Sequence, residues 1–399
     1  VLLDSDGQVL RPSIHFNDQR SVEQCERLKA QWGEAILERA TNVMGPLWTW
    51  PQLVWVKENE PHIWGKTKTI LFPKDYVRQR LTGNSKAYTD NIEATGTLFF
   101  DPVKREWIEE FIGNIGNIAQ MPQIRSPFEV VGEVGSTGAE ESGLAKGTPV
   151  LVGTTDTAAE NLAVGAVSSE YGTVKLASVG RIAFISESPA RHQHILNYPY
   201  FEGLWYPGTA MKYAASAFRW LREALWEGHI ENDYEVMDQA AEQTPAGVDG
   251  LIFLPHLLGQ FAPYWNPNLT GGFLGVGIQH HLGHFTRAVL EGVAMGIREA
   301  LEAMQALGFD AEHLMLIGNG ARSPLWGQIM ANVLNRKLVV PKECDAAYGA
   351  VLMTGRSVGV MPQEISALAQ YMVIERELIP DKNAKLYEAL YLIYQAANA

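Results

Sequence analysis

An acidic residue and a hydroxyl-containing glycine turn follow two successive predicted strands, and this spacing is typical of a phosphoryl-transfer site. Asp156 follows the apolar run 148–152, which reads as a buried strand, and it opens a run of small residues that predicts a close-packed helix. Ser178 and Gly180 lie in the turn after the next strand. A carboxylate at a helix start can take a proton from an alcohol or hold a metal, while the helix amides favour phosphate.

A structural role for Asp156 is open at this point, because Asp is a preferred N-cap residue. Capping is the commoner role of an Asp in such a turn. The segment alone is therefore compatible with a helix cap and with a catalytic carboxylate.

A second segment, 317–326, reads as a strand end, a glycine turn and a helix opened by Ser323 and Pro324. Small residues in such a turn let a flat or anionic ligand approach the backbone. A Ser-Pro pair is also an ordinary helix start, so a purely structural turn would use the same residues. The segment is not a Walker loop, since no Gly-Lys-Ser/Thr follows, and it lacks the dinucleotide fingerprint.

Alternating strands and helices position these residues, and they predict an α/β protein with a largely parallel or mixed sheet. The chain has 399 residues, which suggests at least two domains. We place the boundary just past the Asp156 helix, which gives domains 1–165 and 166–399. The main elements predicted in the second domain are a hairpin of strands 171–176 and 181–186, a helix over about 281–307, strand 314–317, helix 324–334 and strand 338–340.

Composition excludes several classes of partner. The formal net charge is −13, and no long Lys/Arg cluster is present, so we expect neither nucleic acid nor an anionic membrane as a partner. No apolar run reaches the roughly 18 residues that a membrane span needs. The two cysteines, Cys25 and Cys344, fit a reducing compartment. We therefore expect a cytoplasmic protein.

Several spaced motifs together resemble one known family, the FGGY carbohydrate kinases. The most specific are 271–276, Gly-Gly-Phe-Leu-Gly-Val, and the segment from His284 to Gly292, which fit the second signature of the family. Supporting matches are 17–21, 73–76 and the glycine turn 318–323. In segment 73–76, we also predict that Lys74 and Asp75 form an ion pair at a helix start. The resemblance covers essentially the whole chain.

The resemblance implies an actin-like ATPase architecture, with two ribonuclease-H-like α/β domains flanking a cleft. The first domain would bind the sugar and carry a helical insertion, and the second would bind the nucleotide. ATP and Mg²⁺ are the implied cofactors, a sugar and ATP the implied partners, and a homodimer is common in the family.

The resemblance also implies roles for individual residues. Asp156 matches the catalytic base and would also meet Mg²⁺ through ATP, and Thr157 lies where the family contacts the sugar. The remaining implied positions are Asn17, Asp18 and Arg20 near the sugar, Ser178 and Gly180 at the ATP phosphates, and Gly318, Gly320, Ala321, Ser323, Asp345 and Gly349 at the adenosine. We expect Asp18 and Arg20 to be at least as much structural as substrate-binding.

Some residues depart from the family pattern. The phosphate turn has Ala177 for Gly and Ser178 for Thr, which keeps a hydroxyl but makes the backbone less permissive, so we expect weaker γ-phosphate binding. Gln52 stands where Lys is usual, and segment 259–263 lacks two charges of the family pattern. Either change can alter the substrate.

The first residues read as a β-hairpin strand, so we expect the amino terminus of this chain to be truncated and the first domain to be incomplete. The family's opening phosphate hairpin, which helps hold Mg²⁺, and a sugar-binding Gln-Met-His segment have no counterpart before Val1. A polypeptide that begins at Val1 should have negligible kinase activity, whereas one with the preceding residues should follow the ordinary kinase mechanism.

These observations predict ATP-dependent phosphorylation of a primary hydroxyl of a ketose, with D-xylulose as the leading substrate and Asp156 as general base. One alternative is another ketose or polyol, such as ribulose, erythrulose or glycerol. The alternative from a different class is a protein that binds sugar or nucleotide without turnover.

Overall fold

The computed structural model describes residues 1–16, 18–227, 234–264, 266 and 268–398. The chain forms two compact units. Unit 1 comprises residues 1–163, 188–205 and 346–368, and unit 2 comprises residues 164–187, 206–345 and 369–399. Each unit is thus built from three stretches of chain, whereas the predicted boundary after residue 165 divides the chain into two continuous parts.

Helices are present in both units. In chain order they are α1 (Val22–Arg39), α2 (Thr49–Asn59), α3 (Pro61–Lys66), α4 (Pro73–Thr82), α5 (Asn91–Thr95), α6 (Glu109–Ile112), α7 (Ser136–Ser142), α8 (Asp156–Ala163), α9 (Ala215–Leu225), α10 (Tyr234–Glu242), α11 (Leu282–Gln305), α12 (Pro324–Leu334), α13 (Ala346–Ser357), α14 (Ile365–Leu368) and α15 (Ala384–Asn398). Within the described residues, none of them combines the length and the apolar character that crossing a membrane requires.

Strands have two to four residues in unit 1 and three to six residues in unit 2. In chain order they are β1 (Leu2–Leu3), β2 (Thr69–Ile70), β3 (Tyr88–Asp90), β4 (Phe100–Asp101), β5 (Glu106–Trp107), β6 (Gln123–Arg125), β7 (Val130–Glu133), β8 (Pro149–Leu151), β9 (Tyr171–Leu176), β10 (Gly180–Phe184), β11 (Gly208–Met211), β12 (Ile252–Leu254), β13 (Gly272–Leu274), β14 (His313–Ile317), β15 (Leu338–Pro341) and β16 (Ile374–Leu378). The mixture of strands and helices confirms the predicted α/β class.

Unit 1 is organised around an aromatic core rather than a wide sheet. Trp50 of α2 is fully buried, and its ring centroid lies 5.0 Å from that of Phe111 and 4.9 Å from that of Phe99. Ile36 of α1 belongs to the same cluster. Burial of such large rings supplies most of the hydrophobic stabilisation that a small helical region can obtain. The inserted helices are therefore held by their own core.

Two strand pairs and one helix pair position the segment before Asp156. β3 pairs with β6 in parallel, and β7 pairs with β8 antiparallel. α8 packs closely against α13, because a Cβ added at Gly349 would lie 1.9 Å from the Ala159 carbonyl oxygen. Gly349 thus permits a helix crossing that any larger residue would prevent.

Unit 2 contains a six-stranded mixed sheet in the order β11-β10-β9-β14-β15-β16. β9, β10 and β11 form an antiparallel meander, β14 is parallel to β9 and β15, and β16 is antiparallel to β15. The predicted hairpin, the strands near 314 and 338 and the helix 324–334 are confirmed. The alternating apolar pattern and the Ser-Pro helix start were sufficient to predict them.

The long helix α11 lies in the interior of unit 2, and 18 of its 24 residues are buried. Three of those residues, Arg287, Glu291 and Glu299, are charged. Arg287 Nε lies 2.8 Å from Glu291 Oε1, and the same oxygen accepts a hydrogen bond from the Tyr387 hydroxyl at 2.7 Å. Burial raises the pKa of Glu291, although Arg287 opposes the shift. The charged residues of segment 284–292 are therefore a buried structural network.

Candidate functional site

Asp156 is the first residue of α8, but it is not the cap of that helix. The Thr155 carbonyl accepts the first helical hydrogen bond, from the Ala159 amide at 3.1 Å. The Thr155 hydroxyl accepts a second, from the Ala158 amide at 3.3 Å. These two bonds define Thr155 as the N-cap residue. Capping therefore does not explain the carboxylate at position 156.

The Asp156 side chain is exposed and one of its oxygens is held in place. Oδ1 accepts hydrogen bonds from the Thr157 amide at 2.6 Å and from the Thr157 hydroxyl at 3.3 Å. The carboxylate therefore has one anchored oxygen at the amino terminus of α8.

The backbone before Asp156 is fixed by hydrogen bonds to the neighbouring strand segment. The Val152 amide donates to the Glu129 carbonyl at 2.9 Å, and the Gly153 amide donates to the Pro127 carbonyl at 3.1 Å. These bonds continue the β7–β8 pairing up to the helix. The position of Asp156 is thus set by the end of a strand on one side and by the cap of α8 on the other.

A buried ionic network contacts the segment that precedes Asp156. The Lys74 ammonium lies 2.7 Å from Asp75 Oδ1 and 3.0 Å from Asp90 Oδ1, and both carboxylates are fully buried. The Thr154 hydroxyl donates to Asp90 Oδ2 at 3.0 Å. Burial lowers the pKa of Lys74, but Asp90 and Asp75 outweigh this and raise it. The predicted Lys74–Asp75 ion pair is confirmed and proves to be part of a larger cluster.

Glu93 completes the cluster and was not predicted. It lies in α5, one turn after Asp90, whose carboxylate caps that helix through the Ile92 amide at 3.2 Å. Burial raises the pKa of Glu93 to about 8. The positive charge of Lys74 opposes this shift, whereas the negative charges of Asp90, Asp75 and Asp156 add to it. A carboxyl that is protonated at neutral pH therefore lies within the electrostatic reach of Asp156. In the sequence, a Glu three residues after a capping Asp looks like an ordinary helix-start residue.

Asp18 and Arg20 pair with each other. Arg20 donates from Nε and Nη2 to the two Asp18 oxygens at 2.8 and 2.7 Å, and its guanidinium lies 5.0 Å from the Trp55 ring. The hydrogen bonds from Arg20 lower the pKa of Asp18 to about 2. These contacts are sufficient for a structural role of the pair, and its predicted position near the sugar stays a prediction. Asn17, the third residue predicted near the sugar, lies outside the described residues.

Gln52, which stands in place of the usual lysine, holds the segment that precedes residue 17. Its amide nitrogen is 3.4 Å from the His15 carbonyl and 3.4 Å from the Pro46 carbonyl. The side chain is buried, so an amide satisfies two backbone acceptors where a lysine would bring an uncompensated charge.

In unit 2, the predicted phosphate turn joins β9 to β10 and has a fixed backbone. The Ser178 carbonyl accepts hydrogen bonds from the Ala214 amide at 3.1 Å and from the Ser216 hydroxyl at 2.6 Å. The Ser178 side chain is exposed. At Gly180, an added Cβ would lie 2.6 Å from Met211 Cγ, so this glycine is required by packing.

The predicted adenosine turn connects β14 to α12. Gly318 has a φ of 90°, and an added Cβ would lie 2.8 Å from the Leu176 carbonyl oxygen, so only glycine fits there. Ser323 caps α12 through the Trp326 amide at 3.0 Å. Gly320 and Ala321 are buried in the turn. The strand-helix reading of this segment is confirmed, while its nucleotide role stays a prediction.

The last two predicted adenosine positions fall in different units. Asp345 is the final residue of the central stretch of unit 2, and Gly349 lies in α13 of unit 1. The contact between α13 and α8 explains the glycine at 349 without a ligand.

Comparison with known proteins identifies the family. The N-terminal domain of the FGGY family of carbohydrate kinases matches residues 1–163, and the C-terminal domain of that family matches residues 171–358. The xylulose kinase of Escherichia coli (strain K12) is 30% identical, over 96% of this chain and 78% of that protein. The xylulose kinase of Lactococcus lactis is 29% identical, over 99% of this chain and 79% of that protein.

A solved structure of a xylulose kinase also resembles this chain. The xylulose kinase from Rhodospirillum rubrum superposes with a TM-score of 0.88 and 28% identity, covering 100% of this chain and 81% of that one. The predicted two-domain, actin-like ATPase fold is confirmed, and a carbohydrate kinase of this kind takes ATP and a sugar as its small-molecule partners. The chain belongs to the FGGY family of carbohydrate kinases.

Proposed function

We propose that this carbohydrate kinase transfers the γ-phosphate of ATP to a primary hydroxyl of a ketose, with D-xylulose as its substrate. The observation that carries the proposal is that Asp156 has an exposed carboxylate at the start of α8, while Thr155 and not Asp156 caps this helix. The similarity to xylulose kinases supports the choice of sugar.

In the proposed reaction, Asp156 accepts the proton of the sugar hydroxyl as its oxygen attacks the γ-phosphorus. A new bond forms between that oxygen and phosphorus, and the bond between phosphorus and the β,γ-bridging oxygen of ATP breaks, which leaves ADP. Thr157 holds Oδ1, so Oδ2 is the oxygen that we assign to the proton. Holding one oxygen reduces the reorientation that the carboxylate needs in the transition state.

Unit 2 supplies the proposed nucleotide contacts. Ser178 presents an exposed hydroxyl on a turn whose carbonyl is already bonded, and this fixed backbone suits the γ-phosphate. The turn 318–323 is assigned to the adenosine by the family resemblance, and Gly318 and Gly320 let this turn pack closely against Leu176 of β9. Asp345 of unit 2 also belongs to the set that the family resemblance assigns to adenosine, and the last member of that set, Gly349, lies in unit 1.

The residues present fit Mg²⁺ that enters with ATP. Among the described residues, no three carboxylate, histidine or cysteine side chains gather into a metal site of their own. Mg²⁺ is usually held by one or two carboxylates together with substrate phosphates, and the exposed Asp156 carboxylate would meet the ion through the phosphates of ATP. When bound, the ion would neutralise charge that develops on the phosphates.

ADP release tests the proposal most directly. The chain is incubated with MgATP and D-xylulose, D-ribulose, L-erythrulose or glycerol, and the same panel is run with Asp156→Asn and with Glu140→Gln, an exposed carboxylate of α7 in the same unit. We expect stimulation that is largest with D-xylulose, is lowered at least about 100-fold by Asp156→Asn and is unchanged by Glu140→Gln. Stimulation that survives Asp156→Asn would exclude this residue as the base.

Binding without turnover is the second candidate, and Ala177 is the observation that favours it. This residue replaces the glycine of the family's phosphate turn, which makes the backbone less permissive. Calorimetric binding of D-xylulose without any sugar-stimulated ADP release would support this candidate. Restored turnover in Ala177→Gly would assign the loss to the turn itself.

A further inference from the structure

Unit 1 contains a cavity of about 490 Å³ that none of the proposed kinase residues lines. Its walls come from five segments of the chain. These are the start of α5, the β4–β5 turn, residues 124–129, residues 200–202 and the end of α13. The cavity is therefore a product of the tertiary structure, and no sequence motif marks it.

Three arginines and two glutamates supply the charges of this cavity, so its lining is cationic in a protein whose formal net charge is −13. Two of the arginines have protein partners. Arg356 lies over the Phe128 ring at 4.2 Å and 3.3 Å from Glu202, and Arg125 lies 3.4 Å from Glu129. The Nε atom of Arg125 is buried and has no hydrogen-bond acceptor among the described residues.

Arg105 is the arginine without a carboxylate partner. Within the described part of the chain, its guanidinium forms no ion pair and no hydrogen bond. Its backbone has a φ of 60°, which is uncommon for a residue other than glycine. Asp101 holds this turn by accepting hydrogen bonds from the Val103 and Lys104 amides at 3.1 and 2.9 Å. The turn thus presents a positive charge at the cavity from a fixed and unusual backbone position.

Aromatic rings and carboxylates form the rest of the lining. The Phe128 and Phe201 ring centroids lie 4.9 Å apart, and the Tyr200 ring lies 4.5 Å from that of Phe201. Such rings pack against the apolar faces of sugar rings, and carboxylates accept hydrogen bonds from hydroxyl groups. Guanidinium groups bind phosphate with paired hydrogen bonds.

We propose that this cavity binds a phosphorylated sugar, with its phosphate on the exposed guanidinium of Arg105 and on the partly exposed guanidinium of Arg125. The sugar ring lies against the half-buried Phe128, and its hydroxyls donate to Glu129 or Glu202. An inorganic anion would use only the arginines, and an unphosphorylated sugar only the rings and carboxylates. A phosphorylated sugar can contact the arginines through its phosphate and the aromatic and carboxylate side chains through its sugar ring.

Isothermal titration calorimetry of the full chain tests this site, with saturating MgADP present so that the nucleotide contacts are filled. The probes are glucose 6-phosphate, D-xylulose 5-phosphate, inorganic phosphate and glucose. We expect at least one sugar phosphate to bind at least tenfold more tightly than phosphate or glucose. Tighter binding of D-xylulose 5-phosphate would identify the product of the proposed reaction as the ligand, and tighter binding of glucose 6-phosphate would identify a sugar phosphate from another source.

Two neighbouring substitutions locate the binding. Arg105→Gln should weaken it about 10- to 100-fold, because a charged hydrogen bond to the phosphate is lost. Lys104→Gln removes the same charge one residue away, outside the cavity, and should leave binding unchanged. Hydrogen exchange should slow on binding at residues 124–129 and 200–202.

Three results would overturn the proposal. They are the absence of binding by either sugar phosphate, equal affinities for the sugar phosphates and inorganic phosphate, and equal affinities of wild type and Arg105→Gln. Both substitutions are at exposed positions, and circular dichroism of each variant checks that its fold is retained. The test uses binding alone, so it stands whether or not the proposed kinase reaction is confirmed.

Discussion

At the start of α8, the neighbouring residues Thr155 and Asp156 have separate roles. Thr155 caps the helix with its hydroxyl and carbonyl, while Asp156 keeps an exposed carboxylate with one anchored oxygen. The two side chains therefore contribute to different properties, stability in one case and chemistry in the other.

Substitutions at these two positions should separate those properties. Thr155→Ala removes the cap and should lower the free energy of unfolding by about 1 kcal/mol. Asp156→Asn should abolish sugar-stimulated ADP release while changing the free energy of unfolding by less than about 1 kcal/mol, since only the interaction with the helix dipole is lost. Urea unfolding and the ADP assay on both variants measure this. A loss of stability in Asp156→Asn larger than that in Thr155→Ala would contradict it.

The protonation of Glu93 should make the free energy of unfolding depend on pH. Its pKa in the folded protein is raised to about 8 from the ordinary value of 4.5, so the folded protein binds the proton more tightly than the unfolded chain does. This contribution is fully present below the unfolded pKa and is lost as the pH rises through the folded pKa. As the pH rises from 5 to 8, the contribution of Glu93 to the free energy of unfolding should therefore decrease, by at most about 1.4 kcal/mol per pH unit.

Glu93→Gln removes that proton equilibrium and keeps the shape of the neutral acid. The variant should show a smaller decline in the free energy of unfolding between pH 6 and pH 8 than wild type does, measured by urea unfolding. Glu299 in unit 2 also has a raised pKa, of about 7, so the difference between the variant and wild type is the informative quantity. Equal slopes in the two proteins would show that Glu93 is ionised in the folded state.

At the scale of elements, the crossing of α8 and α13 is the closest contact that supports Asp156. It brings two segments almost 200 residues apart in the chain together within unit 1, and Gly349 lies at the point of contact. α8 is short, so its orientation depends on this packing more than on helix propensity.

Gly349→Ala should therefore destabilise the protein by about 1–3 kcal/mol, because the methyl group would force the two helices apart. Gly65→Ala in α3 is the matched control. A Cβ there would meet no atom within 4 Å, so this substitution should be neutral or stabilise the protein by about 0.5–1 kcal/mol. Thermal unfolding of both variants distinguishes the two cases. Equal melting temperatures would mean that the helices can separate without cost.

For the whole molecule, the proposal divides the ligands between the two units. ADP at 100 times its dissociation constant should stabilise the protein by about 2.7 kcal/mol and slow hydrogen exchange in unit 2, at residues 177–180 and 318–323. D-Xylulose should slow exchange in unit 1, at residues 153–157. D-Ribose, an aldose, serves as the control sugar. Protection by ADP that is confined to unit 1 would refute the assignment.

Much of this organisation could be predicted from the sequence. The β9–β10 hairpin, helix α12 with its Ser323 cap and the Lys74–Asp75 ion pair were all predicted, because each depends on residues close together in the chain. The spaced motifs were also sufficient to indicate the FGGY family and its fold. The ligand roles of Asp156, Ser178 and the adenosine turn stay predictions that the proposed experiments test.

Only the tertiary structure decided the remaining features. The sequence left a cap and a catalytic group as alternatives for Asp156, and the backbone geometry assigns the cap to Thr155. The raised pKa of Glu93 and the cavity at Arg105 depend on side chains that distant segments bring together. Burial and charge are properties of that three-dimensional environment, and local propensities act over only a few residues. For this reason the sequence alone determined the family, the fold class and the candidate residues, whereas the tertiary structure determined the surroundings in which those residues act.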